Sequence, residues 1–96
     1  MFIRVSIMQC DPDQMAKVEK LWLEESLPQA TAQKGCVAAR GFRSQEVPGQ
    51  FIMVGEWETV EQADAYLVSP EHEGVVTKYA PYLKGGLQRF VGKLIE

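Results

Sequence analysis

The chain contains few of the residues that metal and thiol chemistry require. Its 96 residues include one histidine and two cysteines, and Cys10 and Cys36 show no CxxC spacing. A zinc or iron site made by this chain would need carboxylates for most of its ligands. We therefore expect two reduced thiols and no metal centre, and a disulfide scaffold is disfavoured.

The chain also lacks the charge and the long apolar runs that mark nucleic-acid-binding and membrane proteins. Its formal net charge is −3, which provides no basic surface for nucleic acid. No apolar run approaches the roughly 20 residues that span a bilayer. The first strand-like run begins at Phe2, which leaves no charged and apolar regions of a signal peptide. We expect one cytoplasmic domain, residues 1–96, that binds neither nucleic acid nor membrane.

The chain contains a strand and helix pattern that occurs twice. Runs of apolar and β-branched residues predict strands at Phe2–Met8, Cys36–Arg43, Phe51–Glu58 and Leu87–Ile95. Asp11 and Pro12 form a helix start after the first strand, and apolar residues at helical spacing follow until Pro28 interrupts them.

Two further helix starts follow the third strand. Thr59 with Gln62 resembles a capping box, and Ser69 before Pro70 predicts a second helical piece that runs to about Ala80. Gly85 and Gly86 are expected to break the chain before the last strand. The order βαββαβ predicts an α+β, ferredoxin-like domain: an antiparallel four-stranded sheet with two helical segments on one face.

Both faces of the predicted sheet are apolar. In the third strand, Ile52 and Val54 alternate with Phe51, Met53 and Trp57. Two helices cover one face, and the other needs a partner because large apolar side chains are unfavourable in water. We expect a homodimer assembled through the face that bears Phe51, Met53 and Trp57.

The stretch KGCVAARGFRS, followed by QFIMVGEWET and VEQADAYLVSP, resembles the antibiotic biosynthesis monooxygenase family. The resemblance covers nearly the whole chain in element order. It is sharpest at Gly35, at the EWE of residues 56–58, and at Ser69 with Pro70. It implies a dimeric α+β barrel, in which two ferredoxin-like sheets pack face to face. It specifies the reaction less well, because this barrel hosts several chemistries.

The family includes cofactor-free oxygenases, so the resemblance implies a monooxygenase without a cofactor that acts on a phenolic or quinol-type aromatic molecule. In such enzymes an apolar cavity desolvates the substrate, polar groups promote its ionisation, and the phenolate reacts with dioxygen. The catalytic candidates are His72, Trp57 and Tyr66. The substrate-binding candidates are Trp22, Arg40, Phe42, Met53 and Tyr79.

This sequence departs from the family pattern at its histidine. Many relatives have a histidine directly after the SP pair, whereas His72 is displaced by one position, which turns a helical side chain by about 100°. Haem-degrading relatives use an asparagine, a tryptophan and an axial histidine. Here Tyr66 and Val76 align with the last two, and the first strand has no asparagine, so haem breakdown is disfavoured.

Two alternatives stay open. The stretch YLVSPEHEGVV resembles the stress-responsive A/B barrels, which include polyketide cyclases; there His72 would act as a base, favoured in its neutral form near a helix N-terminus. The other alternative is a non-enzymatic barrel that binds a small ligand. A cyclase should depend on His72, whereas an oxygenase that relies on desolvation should depend more on Trp57. The displaced histidine favours the oxygenase pattern.

Overall fold

Four strands form one antiparallel sheet. In the computed structural model, which describes residues 1–95, the strands are β1 (Phe2–Cys10), β2 (Cys36–Arg43), β3 (Gln50–Trp57) and β4 (Leu83–Lys93). Their order across the sheet is β2-β3-β1-β4, and each neighbouring pair is antiparallel. With the intervening helices, this order confirms the predicted ferredoxin-like fold.

Helical segments make both crossovers between strands. Between β1 and β2 lie a 3₁₀ turn (Pro12–Gln14), α1 (Met15–Leu21), a π-helical segment (Trp22–Ser26) and α2 (Leu27–Thr31). Between β3 and β4 lie α3 (Val60–Leu67), α4 (Pro70–Tyr79) and a 3₁₀ turn (Ala80–Tyr82). No helix among the described residues is long and apolar enough to cross a bilayer.

Side-chain caps fix the junction between α3 and α4. The predicted cap at Thr59 is confirmed, because its hydroxyl accepts a hydrogen bond from the Gln62 amide at 3.1 Å. The Ser69 hydroxyl accepts from the His72 amide at 3.2 Å and donates to the Tyr66 carbonyl at 2.7 Å. These bonds end α3, begin α4, and hold His72 in the first turn of α4.

Pro28 does not end the first helical crossover, contrary to the prediction. Helical geometry continues to Thr31, and the Leu27 amide donates to the Trp22 carbonyl, which is the wider π-helical pattern. A proline lacks the amide that would bond the carbonyl four residues earlier. The wider turn just before Pro28 takes up this local disruption without ending the helix.

Gly85 and Gly86 also differ from the prediction, because they lie inside β4 and do not break the chain before it. Glycine weakens a strand but leaves its backbone donors and acceptors free to pair. The strand therefore begins at Leu83, which pairs with Cys10, and a register shift separates this pair from the one at Met8.

The sheet face predicted to bind a second copy is instead covered by the chain's own helices. Phe51 and Trp57 are only 1% and 3% exposed, and Met53 packs against the core. The buried core cluster consists of Met8, Cys10, Met15, Val18, Trp22, Phe51, Val75 and Tyr79. The predicted interface face was wrong because both faces of β3 are apolar, so the strand pattern did not specify which face the helices cover.

The opposite face of the sheet has no helix on it among residues 1–95. The register places two mainly apolar rows across this face. One row contains Phe42, Ile52 and Ile7 and ends at Gln88, and the other contains Val54, Val5 and Phe90 and ends at Arg40. Phe42 and Phe90 are 49% and 55% exposed. We call this surface the open face.

Candidate functional site

A cavity of about 100 Å³ lies between the helix-covered face of the sheet and the helices. Its apolar walls include Met8, Trp22, Met53, Trp57, Val75 and Leu87. Its polar groups include Arg4, Ser26, Tyr66, His72, Tyr79 and Arg89. An apolar cavity of about 150 Å³ can bind benzene, so this space suits a ligand built on about one aromatic ring.

Six of the eight predicted site residues line this cavity: Trp22, Met53, Trp57, Tyr66, His72 and Tyr79. Arg40 and Phe42 do not line it. They pair with Val54 and Ile52 and lie on the open face. Side chains alternate between faces along a strand, so assigning the wrong face to β2 misplaced both residues. Ala39, directly before Arg40 and on the other face of the strand, lines the cavity.

Two strand glycines make room for the two tryptophans. A Cβ atom on Gly41 would lie 2.5 Å from Cε2 of Trp22, and one on Gly55 would lie 2.8 Å from Nε1 of Trp57. Because neither glycine has a side chain, both indoles can lie close against the sheet as cavity walls. A glycine within a strand is a sequence signal of such close approach, so both positions could have been predicted.

An aromatic wall runs from Trp57 through Tyr66 to His72. The ring centroids of Trp57 and Tyr66 are 5.7 Å apart, and those of Tyr66 and His72 are 4.9 Å apart with the rings edge to face. The Tyr66 hydroxyl donates to Oε1 of Gln29 at 2.7 Å. Burial, with smaller contributions from Cys36 and Glu71, raises the pKa of Tyr66 to about 12. Tyr66 therefore stays neutral, with its hydrogen committed to Gln29.

His72 lies in the cavity wall, which answers the question left by its displaced position in the sequence. Burial is the main cause that lowers the pKa of His72 below its usual 6.5, and the positive charges of Arg89 and Arg4 lower it further. A hydrogen bond with the Leu67 backbone acts in the opposite direction. The imidazole is therefore neutral near pH 7, with one ring nitrogen able to accept a proton.

Two arginines lie beside His72, and one of them, Arg4, pairs with a carboxylate. Arg4 donates to Asp64 at 2.5 Å, so it pairs within its own chain and not across a dimer interface. The Nε atom of Arg4 is buried and has no hydrogen-bond partner among the described residues. Burial and the charge of Arg4 lower the pKa of Arg89, which has no carboxylate within 4.0 Å among residues 1–95. This end of the cavity carries excess positive charge.

A second polar group lies at the other end of the cavity. The hydroxyl oxygens of Ser26 and Tyr79 are 2.6 Å apart, and burial raises the pKa of Tyr79 to about 12. Ser26 and Trp22 both line the cavity from the π-helical segment, a kind of local distortion that is frequent at functional sites. Sequence analysis did not identify Ser26, because the π-helical turn that orients it has no simple sequence pattern.

The cavity adjoins a more open pocket near the junction of α3 and α4. Leu67, His72, Val76 and Arg89 line both spaces. The two spaces therefore meet beside His72 and Arg89. Within residues 1–95, no group of three or more histidine, cysteine, aspartate or glutamate side chains could hold a metal ion.

The fold and cavity define a ferredoxin-like α+β domain with an internal aromatic pocket. The family model for antibiotic biosynthesis monooxygenase matches residues 1–78, so the chain belongs to that family. A search of curated proteins returns no significant match.

Solved structures with the same fold share little sequence with this chain. A protein from Nitrosomonas europaea that carries the family's name superposes with a TM-score of 0.86 at 11% identity, and each chain is covered in full. A Bordetella bronchiseptica protein of the same name gives 0.86 at 18% identity, with 99% of this chain and 97% of that one covered. A conserved protein from Methanosarcina mazei gives 0.81 at 20% identity, with 97% and 92% covered. At these identities the likeness supports the fold alone.

Proposed function

We propose that the protein is a cofactor-independent monooxygenase that acts on a phenolic or quinol-type aromatic molecule. The observation that carries this proposal is the position of a neutral His72 in an apolar cavity, beside Tyr66 and two arginines. The cavity removes water from an aromatic ring, and His72 is a base within reach of its hydroxyl group. Trp57 and Tyr66 form the wall against which the ring packs.

Proton transfer to His72 is the step that the chain's own residues would assist. The phenol gives its proton to the free imidazole nitrogen, and the guanidinium groups of Arg4 and Arg89 stabilise the phenolate that forms. General-base assistance of this kind typically contributes about 10²–10⁴-fold to the rate. Neutral Tyr66 takes no proton; its edge-to-face contact holds the imidazole against the cavity wall.

The phenolate then reduces dioxygen without a cofactor. One electron passes to dioxygen, the two radicals combine at a ring carbon, and loss of water leaves a carbonyl at that carbon. One oxygen atom enters the product and the other leaves as water with two hydrogens from the substrate. The overall conversion is a phenol plus dioxygen to a quinone plus water, which balances atoms and electrons.

The test is oxygen uptake by protein treated with a chelator and shown to be metal-free. With a panel of single-ring phenols and hydroquinones, we expect uptake above the autoxidation rate and one labelled oxygen atom in the product from ¹⁸O₂. The matched control is His72→Gln at the same protein concentration. If no compound is consumed faster than in buffer, the oxygenase proposal fails.

The same site also suits the cyclase alternative, because a neutral histidine in a cavity could deprotonate a polyketide. Dioxygen separates the two functions: a cyclase forms its product under argon, whereas the oxygenase stops. Saturable binding without turnover in either atmosphere would support the small-ligand-binding alternative.

We also propose that a second copy of this chain covers the open face. The apolar side chains on this face are unfavourable in water, and two-fold pairing through the same face of each copy would bury them. The family resemblance to dimeric α+β barrels supports the same pairing of sheets.

A further inference from the structure

The Ser26 and Tyr79 hydroxyls form a polar end of the cavity that the proposed reaction leaves unused. Their oxygens lie 2.6 Å apart, and the two residues are 5% and 3% exposed. Both side chains line the cavity. A contact between them joins α4 to the π-helical segment, so it stabilises the fold. The number of hydrogens that the two hydroxyls can donate indicates a second role.

The two hydroxyls can donate one more hydrogen than the bond between them requires. Each hydroxyl can donate one hydrogen and has two lone pairs. The bond between Ser26 and Tyr79 uses one hydrogen whichever oxygen donates, and the described residues provide neither hydroxyl with another side-chain or backbone partner. A buried hydroxyl hydrogen is unfavourable without an acceptor. The pair therefore offers a hydrogen-bond donor to an acceptor inside the cavity.

The position of this donor relative to His72 determines where the two oxygens of a ligand that reaches both must lie. His72 and Tyr79 lie on one face of α4, seven residues or nearly two turns apart. Both line the same cavity, which suits a ligand of about one aromatic ring. A ligand that contacts both groups therefore carries its two oxygens on opposite sides of one ring.

We propose that the Ser26–Tyr79 pair binds a second oxygen of the substrate, para to the hydroxyl that faces His72. The substrate is then a phenol with a hydroxyl, ether or carbonyl oxygen in the para position. This inference rests on the proposed function, which places the reacting hydroxyl at His72. With the para carbon occupied, oxygen enters at the carbon next to the phenolate. One oxygen of O₂ becomes a carbonyl oxygen on that carbon, and the other leaves as water with the ring hydrogen and the phenolic hydrogen, so the product is an ortho-quinone.

Binding of two matched ligands tests the proposal without any turnover. The probes are 4-methoxyphenol, which carries a para oxygen, and 4-ethylphenol, which has nearly the same shape and acidity but no such oxygen. Trp22 and Trp57 both line the cavity, so their fluorescence reports occupancy. One additional hydrogen bond should give 4-methoxyphenol about three- to tenfold tighter binding. The isomer 3-methoxyphenol should lose this advantage.

The Ser26→Ala/Tyr79→Phe double variant removes both hydroxyls and should bring the two affinities together, with 4-ethylphenol bound as tightly as before. The matched control is Tyr82→Phe, because Tyr82 packs against the core but does not line the cavity. Equal affinities in the unmodified protein would overturn the proposal. So would a preference that survives in the double variant, or a failure of both probes to bind.

Oxygen uptake separates this proposal from the proposed function. If the protein prefers 4-methoxyphenol through Ser26 and Tyr79 but consumes no oxygen, the proposed binding site is supported and the proposed reaction is excluded. If it consumes oxygen but binds both probes with equal affinity, the proposed reaction is supported and this binding site is excluded.

Discussion

Tyr66 and His72 meet edge to face, with ring centroids 4.9 Å apart and an interplanar angle of 70°. The contact joins the last turn of α3 to the first turn of α4, across the short junction capped by Ser69. It fixes the direction of the imidazole, since the hydroxyl of Tyr66 is itself held by Gln29. The position of the base therefore depends on packing between two helices and on its hydrogen bond with the Leu67 backbone, and not on a carboxylate.

His72→Gln should lower kcat by about 10²–10⁴-fold if His72 accepts the substrate proton. Glutamine keeps much of the side-chain volume but cannot take a proton near pH 7. Steady-state oxygen uptake measures the loss, and Glu71→Gln, an exposed change in the same helical turn, is the control. The displaced position of His72 in the sequence suggested that an oxygenase would tolerate its loss. Because His72 lines the cavity, we expect its replacement to lower activity. Unchanged kcat in His72→Gln would exclude it as the base.

The pH dependence of kcat/KM should report the protonation of His72. Burial and two nearby arginines lower the pKa of His72, so the active neutral form persists below pH 6.5. We expect activity to be constant on the neutral side and to fall in acid, with an apparent pKa below 6.5. A rate that falls with an apparent pKa above 6.5 would contradict the assignment of this limb to His72.

Folding stability should depend on pH through His72 in the same direction. The folded pKa is lower than the unfolded one, so the unfolded chain binds more protons in the interval between them. The contribution of His72 is therefore complete above about pH 6.5 and decreases as the pH falls toward the folded value. Urea unfolding from pH 7.5 to 5 measures the slope. His72→Gln should show a shallower slope, and an equal slope in both proteins would exclude this contribution.

The sequence predicted the fold well because its signals were local. The β2 strand was predicted with its observed ends, and the Thr59 and Ser69 caps follow from single side-chain hydrogen bonds. The face of the sheet that the helices cover depends on tertiary packing. Alternation alone could not choose between two apolar faces of β3. The same ambiguity placed Arg40 and Phe42 in the site. Ser26 was missed for a different reason, because the π-helical turn that orients it has no simple sequence pattern.

Arg4→Gln and Arg89→Gln should each raise the pKa of a bound phenol. A guanidinium group near the phenolate favours its charged form, so removing one should weaken that preference. Absorbance titration of bound 4-nitrophenol measures this pKa directly. Arg43→Gln is the matched control, because Arg43 forms an exposed pair with Glu19 and does not line the cavity. A bound-phenol pKa that is equal in all four proteins would exclude electrostatic assistance by this pair.

A charge on the open face should separate the proposed dimer. Phe90→Lys places an ammonium group in one of the two apolar rows, and two-fold symmetry places two such groups at the interface. Light scattering at micromolar concentration should change from a dimer mass to a monomer mass. Leu23→Lys, on the helical side and 62% exposed, should leave the mass unchanged. A monomer mass for the unmodified protein would remove the proposed interface altogether.

Gly41→Ala should destabilise the protein, and the cause is a clash with Trp22. The new Cβ would lie 2.5 Å from Cε2 of the buried Trp22 indole, which would have to move toward the cavity that it lines. Overpacking of this kind typically costs about 1–3 kcal/mol, which lowers Tm by about 4–20 °C in a domain of this size.

Gly74→Ala is the matched control for that change. Gly74 is an exposed position inside α4, and an added Cβ there meets no atom within 4 Å. Replacing a helical glycine by alanine should stabilise the protein by about 0.5–1 kcal/mol, so Tm should rise while Gly41→Ala lowers it. The Gly41→Ala protein should also bind aromatic probes more weakly, because the displaced indole enters the cavity. If Gly41→Ala and Gly74→Ala shifted Tm in the same direction, the contact between Gly41 and Trp22 would not be the constraint that shapes this wall.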